Sequence, residues 1–94
     1  MFEGVTRRTL GSQDAMMLIE VTLAQGAVVP MHEHPHEQVG YVVRGRVQFI
    51  IGDETTIVET GDSYAIPGGI PHEATALEES MVVDVFSPPR EEYR

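Results

Sequence analysis

Apolar residues in this chain come in short runs rich in Val, Ile and Tyr, each soon broken by Gly, Pro or Asp. Nowhere does the 3.6-residue spacing of a helix face persist. The runs predict strands near Met16–Ala24, Val39–Arg44, Arg46–Ile51, Thr55–Val58, Ser63–Ile66, Glu73–Leu77 and Met81–Phe86. Arg7–Leu10 adds a further short one. Turn signals separate them at Gly26, Pro30, Gly45, Gly52-Asp53, Gly61-Asp62, Gly68-Gly69 and Pro71. Many short strands at close spacing fold as a sandwich or barrel, and 94 residues suffice for one such domain, residues 1–94.

Two of the runs, Gln48–Ile51 and Met81–Phe86, are apolar on both faces. A chain this small has one interior, so the second apolar face points to a homodimer. Pro88 and Pro89 cannot extend a central strand, because proline lacks the ladder donor. The tail, residues 87–94, therefore turns away from the sheet, where it either folds over the barrel mouth or stays in solvent.

The residue types that are missing narrow the chemistry. There is no Cys, which removes disulfides, thiolate ligands and thiol nucleophiles, and no Lys, which removes Schiff-base chemistry. No Gly-x-Ser-x-Gly occurs, so nucleophilic hydrolysis has no support. A net charge of −9 argues against nucleic acid and anionic membranes as partners. No run approaches the roughly 18 to 20 apolar residues of a membrane span. Met1–Leu10 carries Glu3, Arg7 and Arg8 and no apolar signal-peptide core, so the expected location is cytoplasmic.

All four histidines fall in two places. Three lie in Met31-His32-Glu33-His34-Pro35-His36-Glu37-Gln38, and the fourth is His72. On extended backbone His32 and His34 point the same way, a natural pair of ligands for a borderline metal. Gln38 follows a Pro-containing bend and can return to that face, and His72 would close the site from a distant hairpin. The plain alternative is that these are core or surface histidines. His36 is expected to face solvent or line the pocket mouth.

Two spacings carry a resemblance. Gly26-x5-His32-x-His34-x3-Gln38-x6-Gly45 resembles the first cupin motif, with Gln where Glu is usual. Gly61-x5-Pro67-x-Gly69-x2-His72 resembles the second, with Ala76 at its usual Asn position. The resemblance implies an all-β fold, the cupin jelly-roll β-barrel. It implies one divalent metal ion inside, held by His32, His34, Gln38 and His72. Zn, Ni, Mn and Fe all accept such donors. Three neutral imidazoles and an amide leave the ion's full charge in the site, which favours an anionic, carboxylate-bearing substrate.

Within Met81-Val-Val-Asp84-Val-Phe86 only Asp84 is polar. A buried carboxylate needs a partner or a task. Asp84 either sits at an edge in water or faces the interior as a general acid or base. Arg90 is either a solvated tail residue or a clamp for a carboxylate. The segment from Asp84 to Tyr93, with residues 34–41, is similar to KdgF-type cupins. Those convert 4,5-unsaturated uronates from pectin and alginate breakdown to linear keto sugars. That likeness implies Asp84 and Arg90 as catalytic residues, Phe86 and Arg90 as substrate contacts, and a small anionic sugar as partner. The alternatives are a metal-dependent dioxygenase on a small organic substrate and a sugar-binding barrel without turnover.

Overall fold

The computed structural model describes residues 2–93. They form nine strands: β1 Val5–Ser12, β2 Met17–Leu23, β3 Val28–His32, β4 Glu37–Arg44, β5 Arg46–Ile51, β6 Glu54–Glu59, β7 Ser63–Ile66, β8 His72–Ala76 and β9 Ser80–Ser87. A single 3-10 turn, Glu91–Tyr93, follows. The strands pair antiparallel in two sheets, ordered β1-β2-β9-β4-β7 and β3-β8-β5-β6. No helix of the described residues is long and apolar enough to cross a membrane.

Strand period two sorts the side chains between interior and solvent. On β4, Gln38, Gly40 and Val42 point inward, while Glu37, Val39, Tyr41 and Val43 point out. On β9, Ser80, Val82, Asp84 and Phe86 are buried. Val42, Val82, Val47, Phe49, Tyr64 and Ile66 from both sheets meet in one core. Polar side chains share this interior with the core: His34, Gln38, His72 and Asp84 lie toward one end, while Ser80 is buried at the start of β9 and bonds the Arg46 and Glu78 backbone. That separation of an apolar body from a polar end creates the site.

Two strands depart from the sequence expectation. β3 was not expected, because Pro30 interrupts its run. It is an edge strand whose register shifts between Val29 and His32, where a missing amide donor is tolerated. β1 runs from Val5 to Ser12, longer than Arg7–Leu10, although only Val5 is buried. Its seven-residue register with β2, rather than any apolar pattern, holds it in place.

The outward face of the larger sheet is apolar in its middle. Leu18 pairs with Val85, and Val85 with Val39, so these three side chains form one exposed row across β2, β9 and β4. Tyr41 extends the patch along β4.

Candidate metal centre and cavity

The three histidines come from two segments. His32 ends β3, His34 lies just past it, and His72 opens β8 directly opposite His32. His34 is thus not on the strand itself, but the chain stays extended enough to keep both rings on one side. Gly68 sets this loop against the β7–β8 turn. A Cβ there would stand 2.3 Å from the carbonyl oxygen of Pro35. The amide of Gly69 donates to the His34 carbonyl at 2.7 Å. Only a residue without a side chain lets the two ligand-bearing loops approach so closely.

Each ring is oriented through Nδ1. It meets the Pro30 carbonyl in His32 (2.9 Å), the His36 carbonyl in His34 (3.1 Å) and the Ile70 carbonyl in His72 (2.8 Å). A carbonyl can only accept, so Nδ1 carries the proton and Nε2 keeps its lone pair. This is the outer-shell arrangement that fixes metal-binding imidazoles. One ring nitrogen of each histidine lies within 4.8 Å of the others. The Nε2 atoms of His34 and His72 are buried without a hydrogen-bond partner. Buried polar atoms left so are uncommon, and lone pairs converging from three sides fit a cation. Burial, with the positive charge of Arg90 next, lowers the pKa of His34 to about 4, and burial lowers that of His72. Both rings therefore stay neutral and ready to ligate. His36 stands apart from this cluster, half-buried, its ring 5.4 Å from His34 and 6.5 Å from Phe86.

Gln38 and Asp84 face the same interior from β4 and β9. Their strands pair Gln38 with Phe86 and Gly40 with Asp84, so Gln38 and Asp84 are diagonal neighbours. Asp84 accepts hydrogen bonds from Gln38 and from the Tyr64 hydroxyl, the latter at 2.5 Å. A carboxylate accepts only, so the Gln38 amide nitrogen faces Asp84 and its oxygen is not engaged by that bond. Burial raises the Asp84 pKa to about 6, and the two donors hold it from rising further. Burial, reinforced by Asp84, pushes Tyr64 well above its usual 10, so Tyr64 remains a phenol.

The tail closes the polar end. The Arg90 amide contacts Met17 Sδ at 3.2 Å, and Thr9 donates through its hydroxyl to the Tyr93 carbonyl. Arg90 lies over the Phe86 ring (5.3 Å) and the Tyr93 ring (4.4 Å) and bonds Glu92 at 2.9 Å. Its side chain is 13% exposed, and its Nε is buried without a partner. Arg7 packs on Tyr93 at 4.1 Å. A cavity of about 250 Å³ runs inward from this cover, lined by His32, Gln38, His72, Asp84, Phe86 and Arg90 at one end. Its deeper wall is apolar, with Leu23, Val29 and Phe49.

The chain matches the Cupin_2 family, described as a cupin domain, over residues 19–86. The chain belongs to the cupin family. Among curated proteins this cupin is 34% identical to the pectin degradation protein KdgF of Dickeya dadantii, across 97% of its own length and 84% of the relative's. Among solved structures it superposes on KdgF from Halomonas sp. with a TM-score of 0.93 at 32% identity, covering 100% of this chain and 91% of the other. An RmlC-like cupin from Shewanella frigidimarina gives a TM-score of 0.93 at 30% identity, covering 100% and 88%. The expected single-domain jelly roll stands. The three-histidine cluster of this cupin suits a metal ion of unspecified identity.

The structure brings together every residue singled out from the sequence: His32, His34, Gln38, His72, Asp84, Phe86 and Arg90. Tyr64, Gly40, Arg7 and Tyr93 were missed. One signal was available, since Gly40 interrupts an otherwise β-branched and aromatic strand and such a glycine marks a close approach.

Proposed function

We propose that this cupin is a metal-dependent enzyme that isomerises 4,5-unsaturated uronates to linear keto sugars. The observation that carries the reading is one small cavity lined by two histidines of the three-histidine cluster, His32 and His72, together with the buried Asp84 carboxylate and the Arg90 guanidinium. The likeness to KdgF supports the substrate class. At about 250 Å³ the cavity is smaller than the roughly 300–1,000 Å³ of sites for drug-sized ligands, which suits a monosaccharide and not a polymer.

His32, His34, His72 and Gln38 would hold the ion. A divalent ion supplies Lewis acidity toward carboxylate and enolate oxygens. Arg90 binds the substrate carboxylate, and its unpartnered Nε is a donor awaiting an acceptor. Phe86 packs against the sugar ring. Asp84 takes the proton from the anomeric hydroxyl as the ring C–O bond breaks, giving an aldehyde and an enolate whose oxygen carries the electron pair of the broken bond. It then returns that proton to C4, so the reaction is a net isomerisation with no co-substrate.

Loss of ultraviolet absorbance from a 4,5-unsaturated uronate monomer is expected to run faster with metal-loaded protein than in a blank, and to fall to the blank with a chelator. A rate equal to the blank, with metal demonstrably bound, ends the reading. The apolar wall of Leu23, Val29 and Phe49 favours a second reading, oxidation of a small organic acid. Oxygen uptake with ferrous iron would identify it.

The proposal includes a homodimer joined through the exposed row of Leu18, Val85 and Val39. Sedimentation should give a dimer that Val39→Glu converts to a monomer. A wild-type monomer at all concentrations would rule it out.

A further inference from the structure

Tyr64, Gly40 and Asp84 stand in one row across three adjacent strands. Gly40 pairs with Tyr64 on β7 and with Asp84 on β9. All three point inward, so a side chain at position 40 would separate the other two. A Cβ at Gly40 would stand 2.1 Å from Tyr64 Cζ, 2.3 Å from its hydroxyl and 2.4 Å from Asp84 Oδ1. The phenol thus lies in the space the glycine leaves. From the opposite sheet Phe49 stacks on the same ring, centroids 4.2 Å apart and planes tilted 35°. The ring is held between Phe49 and the β4 backbone, and its hydroxyl ends 2.5 Å from Asp84 Oδ1.

We propose that Tyr64 is the positioning residue of Asp84, and that Gly40 is glycine to admit it. A carboxylate on a short side chain in a cavity has more than one χ1 and χ2 setting. A phenol whose ring is fixed on both sides selects one of them, and aims the carboxylate beside Gln38 and into the cavity. Tyr64 stays a phenol and donates its proton to Asp84 Oδ1, so it orients the carboxylate without itself ionising. Phe49 and Tyr64 together carry this restraint from one sheet to the other. The rate arm of this inference rests on the uronate reading; the pairing itself does not.

Tyr64→Phe keeps the ring on Phe49 and removes only the hydroxyl. Two measurements decide the outcome. The first is a double-mutant cycle of Tyr64→Phe with Asp84→Ala, which leaves no acceptor at position 84, read as denaturant unfolding of the metal-free protein. The two changes are expected to be coupled rather than additive, as for directly bonded partners. The second is turnover of the metal-loaded enzyme. There kcat is expected to fall about ten- to hundredfold with KM and metal affinity unchanged, the loss typical of a hydrogen bond to a charged group. In the Asp84→Asn background Tyr64→Phe should change kcat no further. Gly40→Ala should reproduce the kcat loss while the metal still binds. Additive unfolding energies, or Tyr64→Phe turning over at the wild-type kcat, overturn the assignment. A wild-type protein inert toward uronates overturns the functional reading alone, and the unfolding cycle then decides whether Tyr64 holds Asp84.

Discussion

Replacing Asp84 with Asn is expected to lower kcat on unsaturated uronates by about 100- to 10,000-fold, the range for removing an acid–base group. Asn preserves the volume and can still accept from Tyr64 and Gln38 through its amide oxygen. The metal ligands are untouched, so the stoichiometry of bound ion, measured by elemental analysis, should stay at the wild-type value. KM should change little, because the proposed binding contacts, Arg90 and Phe86, are unaltered. A variant that retains its full rate would remove Asp84 from the reaction.

The same substitution has a thermodynamic signature of predictable sign. In the unfolded chain Asp84 titrates near its ordinary 3.8; in the metal-free fold burial raises it to about 6. The fold therefore disfavours the ionised form. Stability attributable to this group is fully present below the unfolded value and is lost as pH rises through the folded one. A difference of about two units corresponds to roughly 3 kcal/mol. Asn carries no such dependence. Urea unfolding of the metal-free proteins should show wild type losing about that amount relative to Asp84→Asn between pH 4 and pH 7.5. His34 contributes the opposite slope, since its pKa is lowered to about 4 and its stabilising effect disappears as pH falls from its usual 6.5. It is present in both proteins and cancels in the comparison. A difference independent of pH would mean that Asp84 is not buried as an acid.

The regular parts of the fold were legible because glycine and proline punctuate it. Arg46–Ile51 and Ser63–Ile66 were predicted to the residue, each bounded by residues that break strands. β3 escaped because proline argues against a strand in general, while an edge position cancels the argument in particular. The histidines were legible because their spacing is a local property of extended chain. Tyr64 was not, because its role arises from register: β7 must pair with β4, and β4 with β9, before Tyr64, Gly40 and Asp84 share a row. No spacing along the chain encodes that row. Arg7 is a similar case, since it reaches the site only because the tail folds back to place Tyr93 against it.

On the proposed ligand set Gln38 would tie the metal centre to the acid–base group, which accounts for an amide where the motif usually has Glu. An amide presents an oxygen to an ion and a donor to Asp84 at the same time. A carboxylate presents acceptors to both. Gln38→Glu should therefore place two buried acceptors against each other and remove one donor from Asp84. The metal-free protein should lose about 1–3 kcal/mol, the penalty of a buried polar group deprived of its partner. The paired change Gln38→Glu with Asp84→Asn restores one donor and one acceptor in exchanged positions. It should recover most of the lost stability. It should also bind the divalent ion more tightly than wild type, because Glu brings a negative charge to a site otherwise built from neutral donors. It should remain inactive, because the proton-carrying carboxylate is gone from position 84. Unfolding curves of the two single variants and the double variant, with metal titrations of each, test the whole set. If Gln38→Glu is as stable as wild type and the double variant is merely additive, then Gln38 ligates without reference to Asp84, and the amide has some other cause.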